Sequence, residues 1–242
     1  MATYVLLVIG AVFLTIFLLF RTKEGGILPA ALKTITSLLF VGTAIAAIFG
    51  NYTLTGVLNA DKIRFMGLIV MGLVCGLIGD LTLDLKITYR DSNLRHSDLY
   101  TYFGMAAFGA GHLFYIIAVA LYFGFSPWTL LIAAGVTALI FCVSIFVMKM
   151  SFGKFFLPSV FYAFLLTLFL SATVAAGILA GFSLTVVLLI IGAGLFLLSD
   201  LVLSMIYFDG NEARFMIVIN HVLYYAAQFL IALSIFYLAV IL

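Results

Sequence analysis

The chain has 242 residues, 67% of them hydrophobic and only 8% charged. So few charges cannot cover the surface of a water-soluble domain, so the solvent around most of the chain must be lipid. The net charge of +2, with no basic run and no stacking platform, excludes a nucleic-acid partner.

A helix rises about 1.5 Å per residue, so crossing a core of about 30 Å takes roughly 20 apolar residues. Eight stretches qualify: 3–20, 29–49, 65–85, 100–122, 128–148, 156–180, 184–207 and 215–241. The first follows Met1 almost directly, with no small-residue cleavage signal before Arg21 and Lys23, and reads as a retained span. Lys33, at the start of the second, is expected to snorkel toward the interface. The third carries Asp80 and, one turn later, Asp84. His96 falls in the charged loop 86–98 and reads as a solvated residue. The fourth span carries His112 and Tyr115; Tyr4, Tyr100 and Tyr102 read as interfacial anchors. The seventh carries Asp200, and the eighth carries Asn220, His221, Tyr224, Tyr225 and Gln228. Cys75 and Cys142 lie in apolar runs without CxxC spacing and read as buried free thiols.

The connections 123–127 and 181–183 are short, which makes their flanking spans antiparallel. Continuous apolar runs exclude barrel strands, which would alternate. The expected fold is an all-α integral membrane protein, one bundle of eight transmembrane helices over residues 1–242. The Asp-Leu-x-Leu of span 3 recurs in span 7, and each is followed by a span with a His (His112, His221). A parallel duplication of four plus four spans would account for both.

Odd-numbered connections hold Arg21, Lys23, Lys86, Arg90, Arg95, Lys149, Lys154 and Arg214; the other side holds Lys62 and Arg64. The positive-inside bias therefore puts the odd connections in the cytoplasm and both termini outside. Asp80, Asp200 and His221 then lie roughly 9, 12 and 10 Å inside the cytoplasmic ends of three helices. A charged side chain at such depth costs at least about 2.5–3.5 kcal/mol, so it needs a partner, a cavity or a function. Interhelical hydrogen bonding alone explains a lone pair of such groups. It explains less well a convergence of two Asp, two His, Asn, Gln and three Tyr.

The GxSxG and HExxH patterns are absent, and no two of His112, His221, Asp80 and Asp200 have metal-ligand spacing. Two carboxylates in a low-dielectric pocket suit general acid–base work, one as acid and its partner as base. The same carboxylates would also serve a proton-coupled transporter or a lipid-handling protein.

Four motifs add to this reading. They are Gly-Asp-Leu-x-Leu from Gly79, Phe-x-x-Gly-His-x-x-Tyr from Phe108, Ser-Asp-Leu-x-Leu from Ser199, and Tyr-Tyr-x-Ala-Gln-x-Leu-Ile-Ala from Tyr224. In order and spacing the chain resembles the lysoplasmalogenase family, the YhhN-like integral membrane proteins. The resemblance implies eight spans and cleavage of the vinyl ether bond of lysoplasmalogens to a fatty aldehyde and a glycerophospho-ethanolamine or -choline. It further implies Asp80 and Asp200 as the catalytic pair and requires no metal or organic cofactor. His112, Tyr115, Asn220, His221, Tyr224, Tyr225, Gln228 and Asp84 would then orient carboxylates, water or substrate. Lys86, Arg90, Lys149 and Lys154 would meet a phosphate at the mouth. Its partners would be a lysolipid substrate and the bilayer, in the cell membrane of a bacterium or the endoplasmic reticulum of a eukaryote.

Overall fold

The computed structural model describes residues 1–21, 26–89, 92–210 and 212–238. Lys23 and Arg90, both counted above toward topology, lie outside the described residues. The helices are α1 (Ala2–Phe20), α2 (Ile27–Thr55), α3 (Ala60–Tyr89), α4 (Leu94–Phe123), α5 (Trp128–Cys142), α6 (Phe156–Ala180), α7 (Leu184–Phe208) and α8 (Arg214–Ser234). All eight are long and apolar enough to cross a membrane, and among the described residues there is no strand. The all-helical, eight-span architecture expected from the sequence is therefore the observed one.

Helix starts follow ordinary chemistry. The Asn93 and Ser183 side chains accept the N–H of His96 and Val186, capping α4 and α7. Pro29 and Pro158 sit in first turns, where a missing N–H costs nothing. α5 continues into a π-helical turn, Val143–Val147, followed by Lys149 at φ 56°.

The C-terminal end differs from expectation. Hydropathy extends the last span to 241, but α8 stops at Ser234 and the chain turns at 235–237. Asn51 Nδ2 donates to the carbonyls of Phe236 (3.0 Å) and Leu238 (2.8 Å), and Thr185 Oγ1 to that of Ser234 (3.2 Å). Side chains from α2 and α7 thus satisfy carbonyls that would otherwise need a continuing helix. Residues 239–241 lie outside the described residues.

α2, α3, α4, α6, α7 and α8 pack in a closed ring, and α3 and α8 also touch across it. α1 and α5 lie outside the ring, only 17% and 22% buried in their spanning windows, and so face lipid most. Neighbour relations recur with an offset of four helices. α1 packs on α2 as α5 does on α6, α2 on α3 as α6 on α7, α3 on α4 as α7 on α8, and α4 on α6 as α8 on α2. This is the adjacency a four-plus-four parallel repeat produces. Cys75 and Cys142 are both free, but Cys142 is exposed on the peripheral α5 rather than buried.

Close packing at the centre depends on glycine. A Cβ on Gly72 would lie 2.2 Å from Tyr115 Cε1, and one on Gly76 2.4 Å from Gln228 Nε2. These two positions of α3 let polar side chains of α4 and α8 approach its backbone.

Candidate active site

Asp80 sits at the centre of a buried network of charge and hydrogen bonds. Its Oδ2 accepts Ser37 Oγ (2.7 Å) and Tyr224 Oη (2.7 Å), and its Oδ1 faces Lys33 Nζ at 3.3 Å. Lys33 also donates to Asp84 Oδ1 at 3.2 Å and to the Asp80 carbonyl at 3.2 Å. Lys33 is 4% exposed, Asp80 3% and Asp84 8%.

The expectation that Lys33 snorkels is therefore wrong. One ammonium lies between two carboxylates one turn apart on α3, and this pairing outweighs the reach to water. Ser37, one turn after Lys33 on α2, turns the same face toward Asp80. A further chain of donors runs inward: Tyr115 Oη to Gln228 Oε1 (3.0 Å), Gln228 Nε2 to Tyr224 Oη (3.1 Å), and Tyr224 to Asp80. Tyr225 Oη bonds Ser37 Oγ at 3.0 Å and the Lys33 carbonyl at 3.1 Å.

Asp200 has a different environment. Its Oδ2 accepts from Tyr162 Oη of α6, and among the described residues no Lys or Arg pairs with it. Both carboxylates line one polar cavity of about 80 Å³. Lys33, Arg21, Asn220, His221, Tyr224 and Tyr207 share its wall. Arg21 Nε is buried there without a hydrogen-bond partner.

The ten residues expected at the site fall into three groups. Asp80, Asp200, Asn220, His221 and Tyr224 line the cavity. Asp84, Tyr115, Tyr225 and Gln228 stand behind Asp80, joined to it through Lys33, Tyr224 or Ser37. His112 is joined to neither carboxylate. It packs on the Phe196 ring at 4.5 Å, its Nδ1–H donates to the Phe108 carbonyl (2.8 Å), and its buried Nε2 has no partner.

Asn220 is occupied in joining helices. Its Nδ2 donates to the Ser199 carbonyl at 2.8 Å, and Ser199 Oγ donates to the Asn220 carbonyl at 3.1 Å. His221 Nδ1 lies 2.7 Å from the Ile217 carbonyl, which can only accept. That nitrogen must carry the proton, leaving Nε2 as the acceptor of the neutral ring.

Comparison with protein families decides the relationship. A family model described as the YhhN family matches residues 28–235. The chain belongs to the YhhN family. This is the family of lysoplasmalogenase-like proteins. Comparison with the curated proteins and with the solved structures returns no match. The YhhN match spans every element that contributes to the ring and to both carboxylates.

Sequence reasoning missed Lys33, Ser37 and Tyr162. The i, i+4 spacing of Lys33 and Ser37 was the available signal for the first two; a tyrosine in an apolar span gave none for the third. At the mouth, an outer cavity of about 560 Å³ adjoins the polar one along Ile87, Ile206, Tyr207 and Glu212. Lys86 lies over the Tyr207 ring, 3.0 Å from its centroid, and Lys154 pairs with Asp98; both line the outer cavity. Lys149 lines neither cavity. His96 is exposed, as expected. Among the described residues no three His, Cys, Asp or Glu come together as a metal site.

Proposed function

We propose that the protein hydrolyses the vinyl ether bond of a lysoplasmalogen, with Asp200 as general acid and Asp80 as general base. The observation that carries this reading is the unlike surroundings of two carboxylates on one cavity. Asp80 faces the Lys33 ammonium and two hydroxyl donors, a setting for a carboxylate anion. Among the described residues Asp200 has one hydroxyl partner and no paired cation, a setting that tolerates the neutral acid. Family membership supports hydrolysis as the reaction class.

A vinyl ether is activated by a proton on its β-carbon. Asp200 gives that proton, and the α-carbon becomes an oxocarbenium centre that the Asp80 anion stabilises across the cavity. Asp80 then takes a proton from water as the hydroxide oxygen bonds to the α-carbon, giving a hemiacetal. In its collapse the hemiacetal O–H returns a proton to Asp200. The C–O bond to glycerol breaks, and Asp80 passes its proton to the leaving oxygen. One water is consumed, an aldehyde and an alcohol leave, and both carboxyls regain their starting states. His221 Nε2 can hold the water, and Arg21 and Lys86 are the cations placed to meet a phosphate.

The test is aldehyde release from lysoplasmenyl-ethanolamine by purified protein in detergent. Asp80→Asn and Asp200→Asn keep shape and remove base or acid, so each is expected to lose at least about 100-fold in rate. Full activity in either variant would overturn the assignment. Proton flux without an aldehyde product would favour a transporter.

A further inference from the structure

A second cavity, of about 100 Å³, lies between α3, α4, α5, α6 and α7. Its wall includes Met105, Ile140, Phe141, Ala163, Leu166 and Leu197. It shares Leu83, Phe108, Asp200, Leu203 and Tyr207 with the polar cavity, so the two abut along the Asp200 face of α7.

The two cavities are equivalent in the frame of the repeat. The polar one is built mainly by α2, α3, α7 and α8, with Arg21 at the end of α1; the second is built by α6, α7, α3 and α4, with α5. Shifting each helix by four converts one set into the other. Where α1 and α2 contribute Arg21 and Lys33, α5 and α6 contribute Ile140, Phe141, Ala163 and Leu166, together with the hydroxyls of Ser159 and Tyr162. Where α8 contributes Asn220, His221 and Tyr224, α4 contributes Met105 and Phe108. One half-site therefore receives Arg21 and Lys33; its counterpart receives mainly hydrocarbon, with the hydroxyls of residues such as Thr101, Ser144 and Ser204.

We propose that this apolar cavity holds the hydrocarbon chain of a single-chain lipid, with Asp200 at the junction between chain and polar end. The chain's identity as an alkenyl tail rests on the proposed reaction; the cavity's preference for hydrocarbon does not. A molecule with its polar end among Arg21, Lys33 and Lys86 and its tail in this cavity places the bond between them beside Asp200. Since a cavity of about 150 Å³ takes the six carbons of benzene, this one takes on the order of four methylene groups. A longer tail continues into the bilayer past the peripheral α5. In a bilayer the tail passes from lipid hydrocarbon to protein hydrocarbon, so each carbon gains little transfer free energy, and the cavity is read from where the chain sits.

The experiment uses saturated 1-O-alkyl lysophosphoethanolamines, which lack the scissile double bond, with chains of 6 to 18 carbons. The full-length protein in nanodiscs binds them, and one analogue carries a diazirine in mid-chain. Photolabelling of the wild-type protein is expected on peptides containing Ile140–Ser144 and Ser159–Leu166. Ala163→Phe and Ser204→Leu fill the cavity; they should abolish that labelling. Label confined to lipid-facing residues such as Phe146 and Val147, or labelling of the cavity peptides that the two variants leave unchanged, overturns the proposal. Because labelling needs no catalysis, a labelled cavity without aldehyde release from the vinyl analogue refutes the reaction alone. Aldehyde release without cavity labelling refutes the chain site alone. If a variant fails to fold, the wild-type labelling pattern still decides.

Discussion

Replacing Lys33 by Met tests the central arrangement most directly. Met keeps an unbranched stem of similar length in the α2–α3 contact, so the change removes the ammonium and little packing. Lys33 Nζ lies 3.3 Å from Asp80 Oδ1 and 3.2 Å from Asp84 Oδ1, and all three side chains are buried. Removing one partner of a buried ion pair costs about 3–5 kcal/mol, because the remaining charge stays out of water. Here two carboxylates are left, four residues apart on α3, so the upper end applies. At about 2–4 °C per kcal/mol for a chain of this size, the apparent Tm in detergent should fall by roughly 10–20 °C. Aldehyde release should fall at least about 10-fold, since Asp80 loses the cation that holds it as an anion. Asp84→Asn alone leaves Lys33 paired with Asp80, and its loss should be much smaller. The double variant should be more stable than Lys33→Met, because it strands one carboxylate fewer, and should depart from additivity by at least about 1 kcal/mol. Melting by intrinsic fluorescence and aldehyde assay of the four proteins complete the cycle. A Lys33→Met protein with unchanged Tm and activity would place the ammonium at the interface and refute the reasoning.

Three other outcomes follow from particular contacts. Tyr162→Phe removes the hydroxyl on Asp200 but not the carboxyl; kcat should fall about 10-fold with KM nearly unchanged, and an unaltered kcat would remove Tyr162 from the mechanism. Gly76→Ala puts a methyl where Gln228 Nε2 would lie 2.4 Å away; displacing Gln228 from Tyr224 should cost about 1–3 kcal/mol, and a wild-type Tm would show the α3–α8 contact to be looser. In a background lacking Cys75 and Cys142, Cys at Asn93 should resist a membrane-impermeant thiol reagent in intact cells while Cys at Gly56 reacts. The reverse pattern would show the protein inverted.

The two cations opposite the odd-numbered connections differ in setting: Arg64 is exposed beside Asp61, and Lys62 is not. Lys62 is fully buried, its Nζ donating to Asn51 Oδ1 and Thr55 Oγ1 at 3.1 Å and to the Val57 carbonyl at 3.4 Å. It therefore ties the last turn of α2 to the start of α3.

Asp80 and Asp200 were legible because a carboxylate inside an apolar run is costly and needs a reason wherever it occurs. The eight spans were legible because length and hydropathy answer directly to membrane thickness. Lys33 was not, since four residues into an expected span snorkelling is the default. Only the fold could bring Asp80 and Asp84 to the same face. The end of α8 was hidden for a similar reason: apolar sequence runs on past Ser234, and the stop is made by Asn51 and Thr185, distant in sequence. The apolar cavity left no trace, because its Leu, Ile and Phe are the residues that also face lipid.

These gaps share a physical origin. Hydropathy reports how a residue partitions between water and hydrocarbon, and not which helix it meets there. In a ring of like helices the second question carries the chemistry. The two halves of this ring have nearly the same adjacency, and each brings an Asp to the centre on its third helix. What separates them is the company each Asp keeps: an ammonium and two hydroxyls for Asp80, a single phenol and an apolar cavity for Asp200. Two chemically identical side chains take the roles of acid and base when their surroundings differ, or when mutual repulsion leaves one proton between them. In a symmetric ring only the repulsion between the carboxyls would divide a proton between them, and either could hold it. In the proposed reaction, the unequal decoration of the two halves is what assigns Asp200 to start as acid and Asp80 as base.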